Sequence, residues 1–184
     1  MEELALHLLD LMENSLEAGA TAIEILIDED EANNLLTLVV ADNGKGMEPD
    51  VVAKVTNPFV TSRTTRKVGL GLSLLKATAE SCGGELQIVS QAGKGTKVTA
   101  KMIYNHWDRP PLGDIASTIA VFLASSENIA LSYSHLVNER IFTFDSREFS
   151  KILDGIPQKH PQVINWLRSY FAENLDNIRK GGRG

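Results

Sequence analysis

The chain has 184 residues, 43% of them hydrophobic, and a single cysteine, Cys82; it can bury a core but cannot build an intrachain disulfide framework or a cysteine zinc cluster. No run approaches the roughly 18 apolar residues of a membrane helix, and MEELALHLLDLMENS lacks the basic region of a signal peptide, so no membrane association and a cytoplasmic location are expected. The net charge of −6 lies wholly in residues 1–104, with 15 acids against 9 bases, whereas residues 105–184 carry nine of each; an acidic surface argues against a nucleic-acid partner.

In chain order, residues 2–18 have helical spacing, with Leu4, Leu8, Leu11, Met12 and Ser15 on one side and Ala-Gly-Ala closing the run. Thr21 to Asp28 and Leu35 to Ala41 read as a hairpin around the acidic turn EDEANN, Ile23, Ile25 and Ile27 giving the first strand a buried face. A short helix near Asp50 to Val55 precedes TNPFVTSRTTRKVGLG, whose composition suggests a mobile loop. Leu70 to Ser81 reads as a helix stopped by Gly83-Gly84, and Glu85 to Ser90 with Thr96 to Ile103 as a second hairpin around QAGKG. Cys82 is expected to be a small, partly buried apolar residue. Helices alternating with mostly antiparallel strands imply an α+β fold, a two-layer α/β sandwich with helices on one face of a mixed sheet.

Pro110-Pro111 and the change in charge balance mark YNHWDRPPLGD as a boundary, giving an N-terminal unit of residues 1–104 and a small α/β unit of residues 105–184. In the latter, Ile115 to Ala124 is a helix candidate, Ile129 to His135 and Arg140 to Phe144 a hairpin around Val137 to Glu139, and Ser146 to Leu153 a helix. A last helix runs from Gln162 to about Ile178, with Trp166, Tyr170 and Phe171 on or near its packed side, and the tail RKGGRG is expected to fray.

Four short segments carry chemistry: ENSLEAGA, ADNGKGM, VGLGLS and GKGT. On the first helix His7, Asp10 and Asn14 project from neighbouring turns of one face. The Asn14 amide could ligate a Mg²⁺ held between phosphates, and Asp10 could orient or deprotonate a water at a terminal phosphate; alone, the same pattern is also a solvated helix face. Asp42 ends a strand before Asn43-Gly44-Lys45-Gly46, placing a hydrogen-bond acceptor for the adenine amine beside a backbone that can be closely approached, although DNG is also an ordinary turn. Gly69-Leu70-Gly71 opens a helix whose unpaired N–H groups suit phosphate oxygens, with Arg63, Arg66 and Lys67 just before it. This is neither the GxxxxGKS/T phosphate loop nor a dinucleotide GxGxxG fingerprint. Thr96, following Gly93 and Gly95, could add a hydroxyl near the base.

Taken together and in order, these segments resemble the GHKL ATPase superfamily, which joins gyrase-type topoisomerases, ninety-kilodalton heat-shock chaperones, histidine kinases and mismatch-repair MutL proteins. The resemblance covers residues 1 to about 104, with ENSLEAGA as the N box, DNGKGM and VGLGLS as glycine boxes, and GKGT as the terminal Gly-Thr element. It implies the Bergerat ATP-binding fold, with ATP and Mg²⁺ as cofactors. Asn14 would be the Mg²⁺ ligand and Asp42 the adenine-binding acid assisted by Thr96, while Gly44 and Gly46 shape the pocket. Gly69, Leu70 and Gly71 would pass the phosphates, Arg63 or Lys67 would reach them from a lid, and Phe59 would pack. Where hydrolysing members carry Glu and many sensor kinases Asn, this chain carries Asp10, a catalytic candidate shorter than Glu by one methylene.

ENSLEAGATAIEI is similar to the mismatch-repair proteins, whereas NPFVTSR and the stretch from VGLGLS to GKGT look like histidine kinases and their anti-sigma relatives. The longer likeness favours the kinase side, and 80 C-terminal residues are short for a transducer domain. With the N box almost at Met1 and none of His7, His106, His135 or His160 in a phosphoacceptor-like setting, a self-sufficient sensor kinase is not expected. The resemblance implies a regulatory ATP-binding protein, either a stand-alone protein kinase or a nucleotide-gated module with a protein partner. The alternatives are an ATPase whose hydrolysis opens a lid and a pure interaction module with structural nucleotide. Self-association is compatible with each.

Overall fold

A computed structural model describes residues 3–57, 68–126 and 128–181, with side chains at 68 and 69 left aside. In chain order the elements are α1 (Leu4–Glu17), β1 (Ala22–Asp30), β2 (Leu35–Asp42), α2 (Pro49–Val55), α3 (Val68–Ser81), β3 (Glu85–Gln91), β4 (Gly95–Ile103), α4 (Ile115–Ser125), β5 (Ala130–Val137), β6 (Arg140–Asp145), α5 (Ser146–Leu153) and α6 (Pro161–Lys180). All six strands join one sheet in the order β3-β4-β2-β1-β5-β6. Every pairing is antiparallel except β1 with β5, which runs parallel from Ala22↔Ala130 to Glu29↔Val137. The strands of residues 105–184 therefore extend the sheet begun by residues 1–104.

Alternation decides which side the helices cover, because successive strand residues point to opposite faces. Ile23, Ile25 and Ile27 of β1, Leu36, Leu38 and Val40 of β2, and Leu131 and Tyr133 of β5 are buried on one face. Against them lies a helix layer in which α1 touches both α3 and α4, and α4 packs on α6. Leu4, Leu8, Leu11 and Met12 form the buried side of α1, as their spacing predicts. The fold is thus a mixed six-stranded sheet with helices on one side, the α+β sandwich expected from the sequence.

The proline-rich connection is stitched to the start of α1. Its Pro111 and Leu112 carbonyls accept the Leu4 and Ala5 N–H groups at 2.9 Å each, filling two of the unpaired donors that every helix start presents. Arg109 stacks on the Tyr104 ring at 5.0 Å and donates to the Tyr104 carbonyl. Cys82 is fully buried. Trp166 departs from its expected packing: it is half-exposed, flanked in parallel by the rings of Phe149 and Tyr170 at 5.3 and 4.8 Å, while Phe171 takes the fully buried position. The segment around Phe59, with Arg63, Arg66 and Lys67, lies outside the described residues.

A second departure concerns the acidic turn. β1 continues two residues past Asp28, so the turn is Glu31 to Asn34, and Glu29 is 5% exposed. A buried carboxylate persists only when it is paired and hydrogen-bonded. Glu29 Oε1 lies 2.7 Å from His135 Nε2 and accepts from Arg179 Nη2 at 2.9 Å, while His135 Nδ1 meets the Tyr133 hydroxyl at 2.8 Å. Three elements far apart in sequence, β1, β5 and α6, are tied at one point. Burial pushes the Glu29 carboxyl up, but the hydrogen bonds from His135 and Arg179 outweigh it and hold the group below its ordinary 4.5.

E29A should therefore cost on the order of 3 kcal/mol in urea unfolding, by leaving His135 buried without its acceptor. R179A should cost less, because that side chain is 46% exposed. Since the folded pKa is depressed, the contribution of Glu29 is present above about pH 4.5 and is lost as the pH falls through the folded value. E29Q should accordingly show a flatter decline of stability below pH 4.5 than the parent chain; identical slopes would contradict the assignment.

Candidate functional site

The end of β2 is built around one carboxylate. Asp42 stands opposite Thr96 of β4 on one side and Ile23 of β1 on the other. Its Oδ1 accepts the Gly44 N–H at 2.8 Å, and its Oδ2 accepts from Ser15 Oγ at 2.9 Å. The Ser15 hydroxyl, itself 3.0 Å from the Leu11 carbonyl, is carried by the buried side of α1. Both carboxylate oxygens are thus aimed by groups from different elements.

The glycines that follow allow the chain to pass through a narrow gap. Gly46 has φ +63°, and a Cβ there would come 2.0 Å from the Gln91 carbonyl oxygen; one on Gly95, at φ +101°, would come 1.9 Å from the Asp42 carbonyl oxygen. Any side chain at either place forces the backbone apart. The gap is held by Lys45 N donating to the Ala18 carbonyl at 2.9 Å and Gly93 N donating to the Lys45 carbonyl at 2.7 Å. Asn43 Oδ1 accepts both the Thr21 and Ala22 N–H groups at 2.9 Å, fixing the turn to the start of β1. Beside Asp42, Thr96 Oγ1 lies 2.8 Å from Ser90 Oγ, which accepts the Met47 N–H at 2.9 Å.

A second group of residues lies where α1 meets α3. A Cβ on Gly71 would sit 3.2 Å from Asp10 Cβ and 3.3 Å from Asp10 Oδ2, so the glycine lets the first turn of α3 press against the Asp10 side chain. Thr78 Oγ1 lies 3.4 Å from His7 Nε2, a further link between the two helices. Because α3 begins at Val68, Gly69, Leu70 and Gly71 all lie in its first turn, where backbone N–H groups have no intrahelical acceptor. Leu70 is 65% exposed there.

Asn14 lies one turn beyond Asp10 and next to Ser15, between the two groups. Its Nδ2 is buried and finds no hydrogen-bond partner among the described residues. A buried amide donor normally finds an acceptor, and an orphaned one calls for a ligand or water. The donor and acceptor ends of an Asn amide differ by a flip, so Asn14 fits a site that holds phosphate oxygens or a cation bound among them.

Of the residues read from sequence, Asp42, Gly44, Gly46 and Thr96 meet at the end of β2, Asp10 meets Gly71, and α1 carries Asn14 between them. Arg63 and Lys67 lie outside the described residues. Two positioning residues carry little sequence signal: Ser15 was legible only as part of a buried helix side, and Ser90 is one hydroxyl in an otherwise ordinary edge strand.

The family model described as histidine kinase-, DNA gyrase B-, and HSP90-like ATPase matches residues 2–105. A putative sensor protein of Shewanella frigidimarina is 39% identical over 93 residues, covering 50% of this chain and 14% of its own length. Histidine protein kinase DivJ of Caulobacter vibrioides is 32% identical over 98 residues, covering 51% and 16%, and sensor histidine kinase ZraS of Escherichia coli is 30% identical over 106, covering 58% and 23%. The chain thus spans less than a quarter of these relatives. In fold it is similar to the Aquifex aeolicus MutL ATPase domain complexed with ADP, at TM-score 0.51 and 17% identity over 79% of this chain and 63% of that one. The N-terminal domain of a DNA repair protein gives TM-score 0.55 at 16% identity, over 78% and 52%. With more than half of its residues matched by the family model, the chain belongs to the histidine kinase-, DNA gyrase B- and HSP90-like ATPase family, the GHKL superfamily, as an ATP-binding module of the histidine-kinase-like type.

Proposed function

We propose that this protein binds Mg-ATP between α1, the end of β2 and the start of α3, and that it works as a nucleotide-gated regulatory protein, transferring phosphate to a partner or releasing that partner as the nucleotide changes. The observation that carries the reading is the Asp42 carboxylate, whose two oxygens are fixed by Ser15 Oγ and Gly44 N beside the Thr96 hydroxyl. An acceptor aimed in advance loses little entropy on meeting the adenine amine. Asn14 would supply the amide ligand to Mg²⁺, whose bound charge would offset that of the phosphates. Gly69, Leu70 and Gly71 would present the α3 N–H groups to phosphate oxygens, and Arg63 or Lys67 would meet them from the lid. Residues 105–184, joined to the same sheet, are the proposed docking unit for the partner.

One observation favours a second reading, in which ATP is hydrolysed and the cycle resets the lid. Asp10 keeps a carboxylate against Gly71 at the start of α3, where it would orient or deprotonate a water. Its reach is one methylene shorter than Glu, and catalysis is sensitive to about 1 Å of misplacement.

Calorimetric titration with Mg-ATP tests the pocket. D42N should lower affinity at least about tenfold, the value of one hydrogen bond to a charged acceptor, and S15A should lower it by less, because it loosens the carboxylate without removing it. Unchanged binding in D42N sinks the pocket. Incubation with γ-labelled ATP and candidate partners then separates the reactions: label on protein supports phosphate transfer, whereas free phosphate that is lost in D10N supports hydrolysis. Neither product, with binding intact, points to nucleotide as a structural ligand only.

A further inference from the structure

The sheet face opposite the helices carries a pattern that the nucleotide site does not use. A sheet covered on one side usually has strands that alternate apolar and polar residues, whereas a strand covered on both sides reads as a continuous apolar run. β2 reads Leu-Leu-Thr-Leu-Val-Val-Ala before Asp42. Its Leu36, Leu38 and Val40 are accounted for by the helix layer; Leu35, Val39 and Ala41 point the other way and remain only partly buried, as does Leu26 beside Val39 on β1.

Charge on this face is divided by β2. On β4 stand Lys97 and Lys101, with Glu85 of β3 opposite Lys101; on β1, at the same levels along the strands, stand Glu24 and Asp28. The register makes the rows explicit: Ala41 lies between Lys97 and Glu24, and Thr37 lies between Lys101 and Asp28. The members of each row are two strands apart, about 10 Å, which is too far for an ion pair within one chain. Among the described residues none of the four makes an ion pair.

We propose that this face is the interface with a second copy of the chain, related by a two-fold axis lying along β2. Such an axis exchanges the two flanks of β2 while preserving position along the strand. Glu24 then faces Lys97 of the second copy and Asp28 faces its Lys101, each contact occurring twice, while Val39 and Ala41 pack on their own counterparts. Sheets stacked face to face lie about 10 Å apart with strand directions within about 30° of each other, a spacing that long Lys and Glu side chains span and a range that includes the parallel β2 strands of this axis. The other two-fold pairing that keeps β2 over β2, with its axis across the strand, reverses the strand levels and keeps the flanks, so it sets Glu24 over Asp28 and Lys97 over Lys101, like charge on like. Six strands at about 4.8 Å and roughly six residues at about 3.3 Å give a patch near 500 Å² per copy in plan, at the lower end for a specific interface. A small interface with exposed charge pairs is sensitive to salt.

Sedimentation velocity of the intact chain, from about 1 to about 100 μM, should show reversible dimerisation that weakens as salt is raised. K97E/K101E puts acids on both flanks of β2 and E24K/D28K puts bases on both, so each alone should dissociate at least about tenfold more readily. Mixed in equal amounts, the two should associate again, since every opposed pair is then complementary. The single variants K97E and E24K repeat the comparison with half the charge change, and thermal melts of all four check that the fold is retained. A parent chain that stays monomeric to about 100 μM overturns the proposal, as do variants that dimerise like the parent or a mixture that remains monomeric. None of these residues belongs to the nucleotide site, so loss of the dimer with nucleotide binding retained leaves the ATP reading untouched.

Discussion

The hydrogen bond from Ser15 to Asp42 joins the two elements on which the rest of the molecule depends. Ser15 belongs to the side of α1 that is buried with Leu8, Leu11 and Met12, so its place is set by apolar packing against the sheet. Asp42 ends a central strand whose register is set on both sides by β1 and β4. Hydrophobic packing therefore decides where a polar acceptor points. The same helix also carries Asp10 to Gly71 and holds Asn14 between, so a tilt of α1 would disturb the Asp42 cluster and the start of α3 together. That is why the opening of α1 matters: the Pro111 and Leu112 carbonyls cap it, and the connection to the second half of the chain thereby fixes the first.

Local periodicity made most elements legible. The apolar spacing of α1, the Ile23-Ile25-Ile27 alternation and the glycine stops gave elements close to those observed, because in each case burial of one face dominates the choice of conformation. The failures share a cause. Glu29 was read as part of a solvated acidic turn, since a run of four acids carries no sign of the His135 and Arg179 that make its burial tolerable. Those partners are 106 and 150 residues away along the chain. Trp166, expected on or near the packed side, is half-exposed at its border, where ring stacking with Phe149 and Tyr170 holds it. The parallel pairing of β1 with β5 is likewise a long-range contact with no local signature.

In the site the same division holds. Asp42, Asn14, Gly44, Gly46, Gly71 and Thr96 were legible because each falls in a short motif with a chemical reason for its residue type. Ser15 and Ser90 were not, because a serine is recognisable as a positioning residue only when its neighbour in space is known. The glycines illustrate the point from the other side. At Gly46 and Gly95 the sequence indicates a turn, but the requirement comes from carbonyl oxygens of Gln91 and Asp42 that occupy the space of a side chain.

β2 serves both surfaces at once. Its even-numbered residues, from Leu36 to Asp42, face the helices and end in the Asp42 carboxylate; its odd-numbered residues face the uncovered side. A strand that pairs on both edges and packs on both faces has little freedom to shift register, because a slip of one residue would exchange its two faces outright. Covering the open side would immobilise the strand that holds Asp42 without touching the pocket. The charge rows at Lys97 and Lys101 flank that strand on β4, whose neighbouring Thr96 stands opposite Asp42. Lys97 and Thr96 are adjacent on β4, so a second copy seated on the open face would stiffen the strands that hold Asp42.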